Sequence, residues 1–221
     1  MQEVGSAPRS ANVAIGQAII AGWTGRDAAA VEKHIQELEA IGVKRPAATP
    51  IFYRVAAARL TTEGSIETLG AHSSGEVEFV LLQTEGRLWV GTGSDHTDRE
   101  VEAYGVSVSK QMCEKPIAPL FWAYDDVAAH WDQLMLRSFA VEAGQRTPYQ
   151  EGFVSAMRRP DDLIGRFSEG SLADGTLMFC GTLAVEGGVR SAPRFEFELE
   201  DPLLKRKIAH GYDVVSLSNL G

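Results

Sequence analysis

The stretch from Gly75 to Lys110 constrains this chain most: GEVEFVLL is followed by GSDHTDRE and then by SVSKQM. Glu76 and Glu78 alternate with Val77 and Phe79, so on an extended strand both carboxylates point to one face and the apolar residues to the other. Two neighbouring carboxylates repel. The repulsion either raises a pKa or is relieved by a cation, and several hard oxygen donors are what Mg²⁺, Mn²⁺ or Ca²⁺ prefers. Asp95 is the candidate third donor. The run RLWVG, after a turn at residues 83–86, reads as a second strand pairing with the first, and Asp95 lies just beyond its end. The same residues also fit a plain hairpin with a solvated face, on which Glu76 and Glu78 only keep an edge soluble.

A chain of 221 residues is compatible with one domain that buries a substantial core without disulfide or metal staples. Cys113 and Cys180 stand far apart, without zinc-type or redox spacing, and read as two free thiols in a reducing cytosol. The first residues are small and polar, and the longest apolar run, around residues 18–21, is far too short to span a bilayer. A soluble cytoplasmic protein without a membrane partner is expected. With net charge -9 and basic residues scattered apart from Arg158, Arg159 and residues 205–207, nucleic acid is excluded as an expected partner. A small anionic substrate stays compatible, because a bound divalent cation and a few basic groups dominate the field inside a pocket. Residues 1–12 read as a loose segment and residues 13–221 as a single domain.

Residues 13–23 are apolar and β-permissive and predict an early strand. Asp27 opens a helix in which Val31, Ile35, Leu38 and Ile41 recur at helical spacing, with Gly42 as its stop. His34 and Glu37 sit at i and i+3, neighbours on one flank of that helix. Pro116 and Pro119 enforce an extended or turning path. Asp125 and Asp126 predict the cap of a second helix with Val127, Ala128, Trp131, Leu134 and Met135 in the core, and with His130 and Asp132 in structural roles. Pro160 starts a short helix through Phe167. Residues 194–199 and 212–217 alternate as strands and are expected to close the sheet, with His210 on the surface.

The central stretch resembles the metal centre of the fumarylacetoacetate hydrolase superfamily, in which E-x-E, a segment N-D-x-S-A-R and a Lys recur in that order. Glu76 and Glu78 match the first element, residues 94–99 the second, with Ser94 where Asn is usual, and Lys110 the third. Nearer the start, Gly25-Arg26-Asp27 and His34-Ile35-Gln36-Glu37 resemble the superfamily's G-R-N-Y and H-x-x-E, the latter a water-activating dyad. Pro50-Ile51-Phe52-Tyr53-Arg54 is similar to the segment F-x-K-P, with Arg54 for Lys. LADGTLMFCGTLA resembles L-x-P-G-D-x-I-x-T-G-T-P, matching at Gly175, Gly181 and Thr182 and departing at Thr176 and Leu183. A similar pattern, with GWTGRD and GSDHTDR, marks a bacterial branch catalogued as a domain of unknown function.

The resemblance implies an α+β, mainly β fold: a mixed β-roll with a few flanking helices, usually a homodimer. It implies Glu76, Glu78 and Asp95 as ligands of Mg²⁺ (or Mn²⁺ or Ca²⁺), and His34, Glu37 and Lys110 as catalytic residues. Arg26, Arg54, Arg99, Gly181 and Thr182 would bind substrate. The implied activity is metal-dependent hydrolysis of a C-C or C-N bond in a small oxo- or unsaturated carboxylic acid in a catabolic pathway. The alternatives are a hydratase, decarboxylase or isomerase of the same superfamily, or a non-catalytic small-acid-binding protein that kept the roll.

Overall fold

The computed structural model describes residues 10–40 and 45–220, and of His34 and Leu38 the backbone alone. The first part of the chain forms β1 (Gln17–Gly22), helix α1 (Ala28–Ala40), β2 (Ile51–Val55), β3 (Leu60–Thr61), β4 (Ser65–Leu69) and β5 (Ser73–Ser74). The hairpin β6 (Val77–Thr84) and β7 (Arg87–Ser94) follows, then β8 (Thr97–Asp98), helices α2 (Arg99–Tyr104) and α3 (Val106–Met112), β9 (Lys115–Pro116), β10 (Trp122–Ala123) and the single turn α4 (Tyr124–Val127). The rest is β11 (Met135–Glu142), β12 (Gln145–Phe153), helix α5 (Pro160–Phe167), β13 (Thr176–Thr182), β14 (Arg194–Asp201) and β15 (Arg206–Leu217).

Two larger sheets carry the fold, ordered β10-β7-β6-β13-β1-β2 and β12-β11-β14-β15-β4, with parallel pairs β1·β13 and β15·β4 among antiparallel ones. The mixed β-roll expectation is met. In the first sheet β6 is buried on both faces, which is why its sequence reads as a nearly unbroken apolar run. Phe79 and Leu81 face the second sheet and pack with Trp131, Leu136, Phe195 and Tyr212. Val80 and Leu82 face the other way, against Leu177, Phe179 and Ile117.

The hairpin turn is made by Glu85 and Gly86, both at positive φ (52° and 69°), the two-residue geometry that matches strand twist. It fixes the register Val77↔Ser94 through Thr84↔Arg87. Asp27 caps α1 as expected, accepting the Ala29 and Ala30 N–H groups at 2.9 and 3.1 Å. The predicted stop at Ile41 and Gly42, like residues 1–9 of the expected loose segment, lies outside the described residues.

Two expectations are corrected. The early strand is shorter than residues 13–23 and ends where Trp23 takes φ 57°. The second helix is not one helix: α4 ends at Val127, residues 128–133 form a 3₁₀ segment broken at His130, and Met135 opens β11. Its cap is Ala123, while Asp125 and Asp126 occupy the first turn. Trp131 and Leu134 are still fully buried, Trp131 edge-on to Phe79 at 5.0 Å, so packing against the sheet holds this segment in place of a helical hydrogen-bond ladder. His130 and Asp132 have the expected structural roles, His130 on Asp201 at 3.0 Å and Asp132 on Arg26.

Candidate metal centre

The hairpin register builds the site. Glu78 lies opposite Gly93, and the ladder runs on past the strand ends, where the Asp95 N–H donates to the Glu76 carbonyl at 2.9 Å. Glu76, Glu78 and Asp95 therefore fall on one face, and one carboxylate oxygen from each lies within 4.8 Å of the others. Glu78 is 2% exposed and Asp95 0%. Gly93 is what lets β9 close over this face: a Cβ there would stand 2.8 Å from the Pro116 carbonyl oxygen.

Buried like charges persist only with compensation. Lys110, from α3, reaches Asp95 Oδ2 and lies 3.7 Å from Glu76 Oε2. Lys115, from β9, places Nζ 3.3 Å from Asp95 Oδ1 and donates to the His96 carbonyl at 2.5 Å. Arg99, at the start of α2, donates to Glu76 at 3.1 Å, to Glu102 at 3.0 Å and through Nε to Ser74 at 2.7 Å. Glu78 receives instead the Gly181 N–H at 2.6 Å, delivered by the irregularity in β13 between Phe179 and Thr182. Gly181 stands at φ 98°, and a Cβ there would collide with Thr24 Oγ1 at 1.7 Å.

These surroundings separate the two buried acids. Burial pushes the Glu78 carboxyl well above the ordinary range, Asp95 and Glu76 push it further, and Lys110 and the Gly181 amide do not offset this. Burial pushes Asp95 up too, but Lys110 and Lys115 outweigh it and hold the group below its usual value. Burial would lower Lys110, yet Asp95 and Glu76 raise it, so it stays protonated; at Lys115 burial wins and the pKa falls. Burial, with the charges of Lys115 and Arg99, brings His96 down to about 3, leaving a neutral imidazole whose Nδ1 is 2.9 Å from the Tyr212 hydroxyl.

The donor set fits a hard divalent cation. Asp95 Oδ1 is buried with only the Lys115 ammonium beside it, at 3.3 Å, and Glu78 makes no ion pair among the described residues. Zinc-thiolate chemistry does not fit, because burial raises the pKa of both Cys113 and Cys180, which are free thiols.

The other expected site residues are dispersed. Arg26 clamps Asp132 at 2.9 Å through both terminal nitrogens and donates Nε to the Met157 carbonyl at 3.0 Å. Arg54 is exposed on β2. The Thr182 hydroxyl donates to the Val77 carbonyl at 2.8 Å and accepts from Gln150 at 2.8 Å, so it ties strands together, and the Gly181 amide is given to Glu78. Glu37 is exposed on α1, 3.8 Å from Lys33, and the side chain of His34 lies outside the described residues. The sequence reading missed Lys115, His96 and Tyr212. Lys115 stands in no periodic pattern and Tyr212 comes from the other sheet, so no local signal marked either.

The family described as protein of unknown function (DUF2848) matches residues 21–212. The chain belongs to that family. Among solved structures, this DUF2848 member is similar to a yeast fumarylacetoacetate hydrolase family protein, with TM-score 0.64 and 16% identity over 91% of this chain and 94% of that one. It is also similar to 2-keto-3-deoxy-D-arabinonate dehydratase complexed with magnesium and 2,5-dioxopentanoate, with TM-score 0.63 and 16% identity over 93% and 74%. The fold is that of the fumarylacetoacetate hydrolase superfamily. No curated protein matches in sequence. No helix among the described residues is long and apolar enough to cross a membrane.

Proposed function

We propose that this DUF2848 protein is a divalent-metal-dependent hydrolase of a small oxo- or unsaturated carboxylic acid. The observation that carries the reading is the convergence of Glu76, Glu78 and Asp95, two of them buried, with one carboxylate oxygen from each within 4.8 Å of the others. A structural neighbour complexed with magnesium and a dioxo acid supports it. Glu76, Glu78 and Asp95 would hold Mg²⁺ or Mn²⁺, and the ion would supply Lewis-acid polarisation of substrate oxygens.

The remaining steps belong to the chain's own groups. Lys110, kept protonated by Asp95 and Glu76, is a fixed positive charge beside the carboxylates and would steady the oxyanion that develops when a carbonyl is attacked. The base would be His34 on α1, with Glu37 three residues on, taking a proton from water. The C-C or C-N bond would then break to release an enolate or enamide, a delocalised anion that takes back the proton His34 removed from water. A hydratase or dehydratase reading uses the same centre without cleaving the chain, and the dehydratase among the structural neighbours favours keeping it as the second reading.

The test is turnover by magnesium-loaded protein on acylpyruvates, 2-oxo-enoates and N-acyl enamines. Hydrolysis of at least one class is expected, and His34→Ala should lower kcat by about 10²-fold or more with metal affinity kept, while Glu37→Gln costs less. Near-normal kcat in His34→Ala would remove that residue from the chemistry. Water addition or loss without bond cleavage would establish the second reading.

A further inference from the structure

Two of the three carboxylates sit at the end of their hairpin. The last register pair is Val77↔Ser94, and Glu76 and Asp95 lie beyond it, joined by the bond from the Asp95 N–H to the Glu76 carbonyl at 2.9 Å. Strand ends open locally at free energies well below that of global unfolding. A fixed spacing between Glu76 and Asp95 therefore needs support from outside the hairpin, and a side chain of the second sheet, Tyr212 on β15, reaches this end.

The Tyr212 hydroxyl meets the two residues that flank Asp95 in sequence, Ser94 through Oγ at 2.8 Å and His96 through Nδ1 at 2.9 Å. Ser94 Oγ in turn accepts the Glu76 N–H at 3.2 Å, so one phenol is tied to both sides of the hairpin end. All three side chains are buried. The protons give the chain a direction. With Ser94 donating to Tyr212 and Tyr212 donating to His96 Nδ1, each hydroxyl gives and receives once, and His96 carries its proton on Nε2, which is buried without a partner. The reverse direction would leave the Ser94 proton without an acceptor among the described residues as well. Gly75 makes the room: a Cβ there would stand 2.7 Å from the Tyr212 hydroxyl and 2.9 Å from Ser94 Oγ. On its other side His96 is held by Lys115 on its carbonyl at 2.5 Å, and its ring stands edge-on to Tyr212 and Phe195. Tyr149 offers the contrast. It is equally buried and packs on the same Phe195 at 5.4 Å, yet its hydroxyl meets only the Arg190 backbone, at 3.3 Å.

We propose that Tyr212 is a positioning residue of the metal centre, holding Ser94 and His96 so that Asp95 keeps the spacing from Glu76 that a small divalent cation needs. The proposal rests on the reading of the centre given above. Mg²⁺ demands near-ideal octahedral geometry with ligands at about 2.0–2.1 Å, whereas Ca²⁺ accepts looser arrangements at about 2.3–2.6 Å. A spacing imposed from the second sheet thus contributes more to Mg²⁺ binding than to Ca²⁺ binding, and Tyr212 acts through its neighbours without touching ion or substrate.

The test removes single hydroxyls and titrates Mg²⁺ and Ca²⁺ calorimetrically into the full chain. Tyr212→Phe should raise the Mg²⁺ Kd about tenfold or more and the Ca²⁺ Kd by less than about threefold. Tyr149→Phe, which also removes a buried phenol hydroxyl, should change neither. Ser94→Ala cuts the same chain one bond further along and takes the place of Tyr212→Phe if that variant does not fold; the double variant should bind Mg²⁺ no more weakly than the weaker single one. A second readout needs no metal: in metal-free protein Tyr212→Phe should speed hydrogen exchange of the Asp95 amide about tenfold relative to that of Leu81 in the middle of β6, a ratio that an overall loss of stability does not move. An unchanged Mg²⁺ Kd in Tyr212→Phe, an equal loss for Mg²⁺ and Ca²⁺, or an equal effect of Tyr149→Phe would overturn the positioning role and leave the centre standing. If the unaltered protein binds neither ion, the reading of the centre falls, and the exchange ratio alone decides whether Tyr212 holds Asp95: an unmoved ratio overturns it.

Discussion

Two strands of this protein carry the same sequence signature with opposite outcomes. Glu76-Val77-Glu78 leads into β6, and Glu196, Glu198 and Glu200 alternate along β14. On β14 the neighbouring strands bring cations into register: Arg137 lies opposite Glu198, and Lys207 opposite Glu200. The ladder that results pairs Glu198 with Lys207 at 3.0 Å and Glu196 with Arg146 at 2.8 Å, and Arg137 bridges Glu198, Glu200 and Glu151. On β6, Glu78 lies opposite Gly93 and Thr182, which offer no charge, and the lysines come from outside the sheet and settle on Asp95. Alternating glutamates are thus a cation-paired ladder in one place and a strained centre in the other, although Glu198 is itself buried. The supply of cations decides which.

The comparison breaks most sharply through charge removal. Asp95→Asn leaves the buried Lys115 without a carboxylate partner and Lys110 with Glu76 alone, and should cost about 3–5 kcal/mol of folding stability in urea titrations. Glu200→Gln, at the exposed end of the β14 ladder, should cost less than about 1 kcal/mol. Similar losses at the two positions would mean that the centre is no more strained than the ladder.

Ligand linkage sharpens it further. Mg²⁺ or Mn²⁺ at about 100 times Kd should stabilise the protein by about 2.7 kcal/mol, reversibly with chelator. Glu78→Ala should abolish that gain, whereas Glu198→Ala should preserve it. A metal-induced Tm rise that survives Glu78→Ala would exclude this carboxylate as a ligand.

The smallest effect is a pH dependence whose sign differs between the regions. The folded pKa of Glu78 is raised, so its contribution favours the folded state below the ordinary carboxylate range and is lost as pH rises through the folded value. Asp95 and, on β14, Glu196 are shifted down, so their contributions are present above the ordinary range and are lost as pH falls through their folded values. Between about pH 7 and 5 His96, brought down to about 3, works against Glu78, so the Glu78 contribution is read as the Tm of metal-free protein relative to metal-free Glu78→Gln, and that difference should rise as pH is lowered. Saturating metal should flatten or invert the trend, because proton and cation compete for Glu78. A difference from Glu78→Gln that stays flat over the same interval would show that Glu78 is not the acid under strain.

Much of the centre was legible because it is local. Glu76 and Glu78 are fixed by strand alternation, and Asp95 by a turn whose length sets the register, so a window of some twenty residues specifies their common face. Asp27 at the start of α1 was legible for the same reason. The segment 128–135 was not: its apolar residues repeat with a spacing that suits a helix, but Trp131 is held by Phe79 on a strand far away in sequence. The β11–β12 hairpin, which carries Arg137, was not foreseen at all.

By itself, then, the sequence determined which carboxylates share a face, where the chain turns, and which residues must be buried, since these follow from backbone periodicity and turn geometry over short range. Only the tertiary structure decided that Lys115 would close on Asp95 from β9 and that Gly181 would give its amide to Glu78. Those outcomes depend on contacts between residues up to about a hundred positions apart, such as Gly181 with Glu78. Such contacts are selected by the packing of two sheets and by the cost of burying charge, neither of which a local pattern records.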